Sequence, residues 1–233
     1  MKNIEELAKT HLGKNAKRAI DLVQNHMPDH EYHNIRHVEH MARMLRCETI
    51  GPWRGLLTDD QITAVVLFVF FHDIVYDPTC TDNETQSFKL YQNKFAMKRG
   101  GEMRIPSRAH WIVKHAIDRS SRYDEEISED THVSYATHLC HDLDLEVLSW
   151  RDGAYSTYIK SIRKEYSHVE DELFLKGRQN FLMAMFGKAN IYETRLPFFM
   201  DAEKQARSNI ALELQCIRDI QSGTREIDHI YTQ

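Results

Sequence analysis

A chain of 233 residues, 42% of them hydrophobic, can bury a full core as one large domain and is neither disordered nor fibrous. A net charge of −5 and a pI near 6.3 exclude a general nucleic-acid binder, while leaving room for a local basic pocket for one phosphate. Cys47, Cys80, Cys140 and Cys216 form no C-x-x-C pair, so free thiols in a reducing cytoplasm are expected rather than a disulfide framework.

The elements read as one helix after another. Ile4, Leu7, Ala8 and Leu12, then Ala19, Ile20 and Val23, recur at helical spacing, with Gly13 as a break and Met27-Pro28-Asp29 as the stop. This opening segment lacks the apolar region of a signal peptide. The spacing predicts a second helix over about 34–48, with Val38, Met41, Met44 and Leu45 inward and Gly51-Pro52 closing it. Thr58-Asp59-Asp60 caps a third, almost wholly apolar from Ile62 to Val75. That run is too short to span a bilayer, and no membrane association is expected.

A polar turn from Asp77 to Glu84 opens the next helix, which has Phe88, Tyr91 and Phe95 on its apolar side and stops at Arg99-Gly100-Gly101. Ser107 starts another, containing Trp111, Ile112, His115 and Ala116, and the charged stretch 120–130 is expected to be a mobile loop. A helix over about 134–150 carries His138, His141, Asp142 and Asp144, and Asp152-Gly153 separates it from a helix marked by Tyr155, Tyr158, Ile159, Ile162 and Tyr166. Phe174, Phe181, Leu182, Met185 and Phe186 mark one more, and Pro197 opens the last, which ends at Ser222-Gly223. With no alternating run long enough for a strand, an all-α fold is expected. It forms a single domain over 1–233, with a motif-bearing core at about 30–150 and a C-terminal helical extension at about 154–222.

The chemistry concentrates where the apolar run meets His72-Asp73. A carboxylate on a helix buried nearly all round is costly unless something offsets its desolvation, and a divalent cation is the obvious partner. Adjacent helical residues are about 100° apart, yet an imidazole and a short carboxylate can still converge on one ion beside the helix. That donor pair suits zinc, iron, manganese or nickel better than calcium or magnesium. The plainer alternative has His72 bonding the helix end and Asp73 pairing with an arginine. His37 shares a side with Met41 and Met44, and Asp144 lies one turn from both Cys140 and Leu148, so both are expected to point inward. For Asp142 or Asp144 an arginine partner is the alternative, and His141 is expected on an outer face.

Together, His37, His72-Asp73 and Asp144-Leu145 resemble the H…HD…D arrangement of the HD superfamily of metal-dependent phosphohydrolases. The segments Tyr32-His33-Asn34, Phe71 to Asp77, Asn83-Glu84, Ser87, Ile162-Arg163, Glu165-Tyr166, Gly177-Arg178, Ile191-Tyr192 and Ala206-Arg207 extend the likeness to a bacterial subgroup of predicted HD hydrolases, over roughly 30–215. The resemblance implies an HD-domain-like helical bundle with additional C-terminal helices. It also implies a divalent metal (manganese, iron, cobalt, nickel or zinc; one ion, or two in dinuclear members) on His37, His72, Asp73 and Asp144. The ion acts as Lewis acid and activates water against the phosphorus of a small phosphorylated substrate, a nucleotide in many members. Asp73 and Glu84 become the catalytic carboxylates, with Glu84 as general acid or water-orienting base, and His115 and Arg163 the candidates to bind substrate. This chain has Tyr76 where some HD phosphatases place a glutamate. Arg178 and Arg207 are expected in salt bridges with groups such as Glu165 or Glu203. The alternatives are a dinuclear iron oxygenase, for which His115 and His141 would be essential, and a non-catalytic nucleotide-sensing module. Exposed aromatics in the C-terminal half are the candidate face for a homodimer.

Overall fold

The computed structural model describes residues 1–47, 49–98, 100–120, 131–151, 153–227 and 231. Its helices are α1 (Lys2–Leu12), α2 (Ala16–His26), α3 (Ile35–Arg46), α4 (Asp59–Phe71), α5 (Asn83–Leu90), α6 (Ser107–Arg119), α7 (Thr131–Leu145), α8 (Gly153–Glu165), α9 (Asp171–Gly187) and α10 (Pro197–Gln221). Among the described residues there is no strand, and the one β-bridge pairs Met97 with Met103, so the all-α expectation holds. No helix of the described residues is long and apolar enough to cross a membrane.

The core is built around α4. Every side chain from Ala64 to Phe71 is buried, because α6, α7, α1, α3 and α2 all pack against this helix. Its start is fixed by a capping box, in which the Thr58 hydroxyl accepts from the Gln61 N–H and the Gln61 side chain accepts from the Thr58 N–H. At the N-terminus the expected break is present: Gly13 turns the chain with φ of 50° between α1 and α2, a conformation that costs glycine little.

Three boundaries differ from the sequence reading. The apolar run does not stay helical to Val75; α4 ends at Phe71, with His72 at its C-cap and Asp73 in the turn beyond. The fifth helix widens into a π-helical turn over Tyr91–Ala96. Beyond Leu145, α7 tightens into a 3₁₀ turn, Glu146–Ser149, against which α10 packs. The stretch 121–130 lies outside the described residues, as do Arg99 and Asp152, so the expected mobile loop and those two stop positions are not described.

Candidate metal centre

Three elements deliver four side chains to one point. Asn34 caps α3: its side-chain oxygen accepts from the Arg36 N–H at 2.8 Å, and its amide donates to the His30 and Glu31 carbonyls at 2.7 and 3.1 Å. This locks the entry into the helix and sends His37, one turn in, toward the core. His72 leaves the end of α4 with its Nδ1 donating to the Phe68 carbonyl at 3.1 Å. A carbonyl can only accept, so the proton sits on Nδ1 and the Nε2 lone pair faces away from the helix. The Phe68 ring, stacked at 4.7 Å, holds that orientation. Asp144 comes from the last turn of α7.

The distances are those of a shared centre. His37 Nε2 lies 3.2 Å from His72 Nε2 and 3.1 Å from Asp144 Oδ1. His72 Nε2 lies 3.1 Å from Asp73 Oδ2 and 3.5 Å from Asp144 Oδ1. One donor atom from each of the four residues falls within 4.8 Å of every other. Two imidazole nitrogens at this separation, beside two carboxylates, form a donor set that a divalent transition metal fits. His72 keeps helical backbone angles, φ −60° and ψ −42°, and the adjacent Asp73 converges with it, Oδ2 to Nε2 at 3.1 Å, as was expected of the pair.

The electrostatics set burial against the attraction of the groups for one another. Burial pulls the His72 imidazole down, but Asp73 and Asp144 outweigh it and hold its pKa well above the ordinary value. Burial alone would raise Asp144, yet His72 and His37 keep its carboxyl well below the usual range. A proton on an imidazole can therefore play the part of a cation here, and a metal ion would displace it.

A surrounding shell steadies these groups. The Glu165 carboxylate accepts from the Tyr32 and His33 backbone N–H groups at 2.6 and 2.9 Å and from His33 Nδ1 at 2.6 Å. His33 Nε2 is thereby aimed at Asp73 Oδ2, 3.9 Å away, and its ring stacks on Tyr76 at 3.7 Å. The sequence placed His33 within a motif without a role and offered Glu165 only as a salt-bridge partner for an arginine. The available signal was His33 four residues before His37; nothing local marks Glu165 as its partner, 132 positions away.

Two of the four donors, Asp73 and Asp144, line a cleft of about 350 Å³, whose walls also include Glu84, Ser120, Tyr158 and Arg178. Glu84, in the first turn of α5, faces this cleft. Burial, followed by the negative charges of Asp73, Asp82 and Asp118, raises its carboxyl above the usual range.

The other expected site residues stand elsewhere. Arg163 donates to the Tyr166 and Val169 carbonyls at 2.6 and 3.2 Å and to Asp171 at 2.5 Å; it closes the end of α8 and does not line the cleft. His115 stacks on Trp111, at 5.7 Å and an interplanar angle of 9°, and is neither one of the four donors nor part of the cleft lining. His141 is not on an outer face: it is buried, with Nε2 3.1 Å from the Ala116 carbonyl, because α7 has neighbours on nearly every side. Among the described residues Asp142 has no arginine partner of the expected kind; it accepts from the Glu193 and Thr194 N–H groups and the Thr194 hydroxyl. Arg207 does pair with Glu203, at 2.7 Å, whereas Arg178 pairs with Glu213 at 2.9 Å.

Fold and site together define an all-helical protein with a buried two-histidine, two-aspartate group able to hold a metal ion. No family model matches the chain, and no curated protein matches it.

Proposed function

We propose that the protein is a metal-dependent phosphohydrolase acting on a small phosphorylated molecule, as its resemblance to the HD superfamily implies. The observation that supports this reading is the convergence of His37, His72, Asp73 and Asp144 within 4.8 Å, with Asp73 and Asp144 in the wall of a cleft large enough for a small ligand. A divalent ion held by these four residues supplies Lewis acidity toward a phosphate oxygen and lowers the pKa of a bound water.

The remaining work falls to the chain's own groups. Glu165 holds His33, and His33 Nε2 stands 3.9 Å from Asp73 Oδ2, where a protonated His33 would favour the ionised Asp73 carboxylate. Glu84, with its carboxyl raised, suits proton traffic at the cleft. In the net reaction water adds to phosphorus, the bond from phosphorus to the ester oxygen breaks, and the proton released by water reaches that oxygen by way of Glu84. Arg163, committed to the end of α8, has no part in binding phosphate.

The test pairs elemental analysis of the purified protein with phosphate release from a panel of phosphate esters and nucleotides, after re-addition of manganese, cobalt or nickel. About one ion per chain together with phosphate release is the expected result. Bound metal with no release from any ester would overturn the hydrolase reading, and about two irons per chain without release would move the assignment to the oxygenase.

A further inference from the structure

The cleft does not end at Tyr166 and Phe181. Beyond them opens a second cavity of about 430 Å³, and the two share Ile162, Tyr166, Arg178 and Phe181 as walls. The far compartment is formed by α9 and the turn that precedes it: Val169, Leu173, Phe174 and Gly177 complete its lining. It is apolar apart from Arg178, and that guanidinium is already engaged. It donates to Glu213 from Nε and Nη2 at 2.9 and 3.1 Å and to the Tyr158 hydroxyl at 3.2 Å, and lies over the Phe181 ring at 5.3 Å. What it offers the two cavities is a flat, neutralised face.

Two further observations bear on the ligand. Among the described residues, the near cleft is lined by three carboxylates, Asp73, Glu84 and Asp144, and by no lysine or arginine other than Arg178. A divalent ion offsets two of those charges and can receive one phosphate; a triphosphate would bring further negative charge without a matching cation. The second observation is Gly177. It sits inside α9, where glycine weakens a helix relative to alanine, and no positive φ requires it. A Cβ built there would meet nothing within 4 Å, so no close packing requires it either. Its effect is to leave one wall of the apolar compartment open.

We propose that the site takes a phosphomonoester whose other half is apolar. The phosphate lies at the His37–His72–Asp73–Asp144 group, and the apolar half passes Tyr166 and Phe181 into the compartment walled by Val169, Leu173 and Phe174. As an assignment of substrate this rests on the phosphohydrolase reading; as an assignment of a binding site it does not require turnover.

The experiment separates the two. Binding of alkylphosphonates from ethyl to octyl is measured by calorimetry on the metal-loaded protein and on a Gly177→Leu variant, which fills the compartment from an open position. The expected Kd falls about three- to fourfold per methylene in the wild-type protein. The variant flattens that dependence while binding ethylphosphonate within about twofold of wild type. A Kd independent of chain length, no binding of any member, or tighter binding of a nucleoside triphosphate than of octylphosphonate overturns the proposal. Chain-length-dependent binding without hydrolysis of the matching alkyl phosphates upholds the pocket and sinks the hydrolase reading; hydrolysis without chain-length dependence does the reverse.

Discussion

Glu213 and Asp144 are both carboxylates held inside the helical assembly, and the chain treats them in opposite ways. Around Glu213 every demand is met from within: Arg178 donates twice, at 2.9 and 3.1 Å, and the hydroxyls of Tyr155 and Tyr231 donate at 2.5 and 3.0 Å. Asp144 instead faces two imidazoles and shares them with a second carboxylate, Asp73. An arginine is a fixed cation, so the Glu213 cluster is closed and structural. Imidazoles are neutral donors of lone pairs, so the Asp144 cluster is one that a proton or a metal ion can complete. Burial of charge alone therefore does not mark a functional site; the kind of partner does.

The sharpest way to break this comparison is to remove a donor from the open cluster. His72→Ala or Asp73→Ala should abolish stoichiometric metal binding while the helical circular-dichroism signal largely survives. Full metal content in both variants would remove the basis for a centre. In the closed cluster the expected pattern is reversed. Glu213→Ala leaves Arg178 buried without its carboxylate, and should cost about 3–5 kcal/mol in chemical denaturation while metal per folded chain is unchanged.

A smaller effect sharpens the boundary of the open cluster. Glu165→Gln keeps the shape but weakens the hold on His33, and metal affinity should drop about 10- to 100-fold in a competition titration. An unaltered affinity would reduce Glu165 to a backbone clamp. The pH dependence is the mildest of the four tests. The His72 pKa is raised in the metal-free fold, so the stability it contributes is fully present below the ordinary imidazole value of 6.5 and is lost as pH rises through the raised value. Metal binding expels that proton, so affinity should increase with pH across this window by at most about tenfold per pH unit. An affinity that falls with rising pH would contradict the proton-for-metal exchange.

Much of this arrangement was legible in residue order, for physical reasons that differ by element. Helix periodicity located α3 through Val38, Met41, Met44 and Leu45, all buried in the structure, because an amphipathic stripe is a local property. The same logic misplaced the end of α4: Ile74 and Val75 prolong the apolar run, and hydropathy does not register that the chain leaves the helix just beyond His72. It also misplaced His141, since a helix enclosed on nearly all sides has no outer face to predict. Partners distant in sequence were the least accessible. Nothing local to Arg178 names Glu213 rather than Glu165, and nothing local to His33 names Glu165; both choices are made by how the C-terminal helices dock. The apolar compartment beyond Tyr166 and Phe181 was likewise invisible, because a cavity is a property of facing surfaces and not of any one segment.

The central claim is that the four donors form a metal centre, and the most direct measurement is metal content per chain in the wild-type protein beside His72→Ala. Both are stripped with a chelator and reloaded in turn with manganese, iron, cobalt, nickel and zinc. The account predicts about one tightly held ion per wild-type chain and none in the variant at equal folded concentration. Equal uptake by both proteins, or none by either, would contradict it.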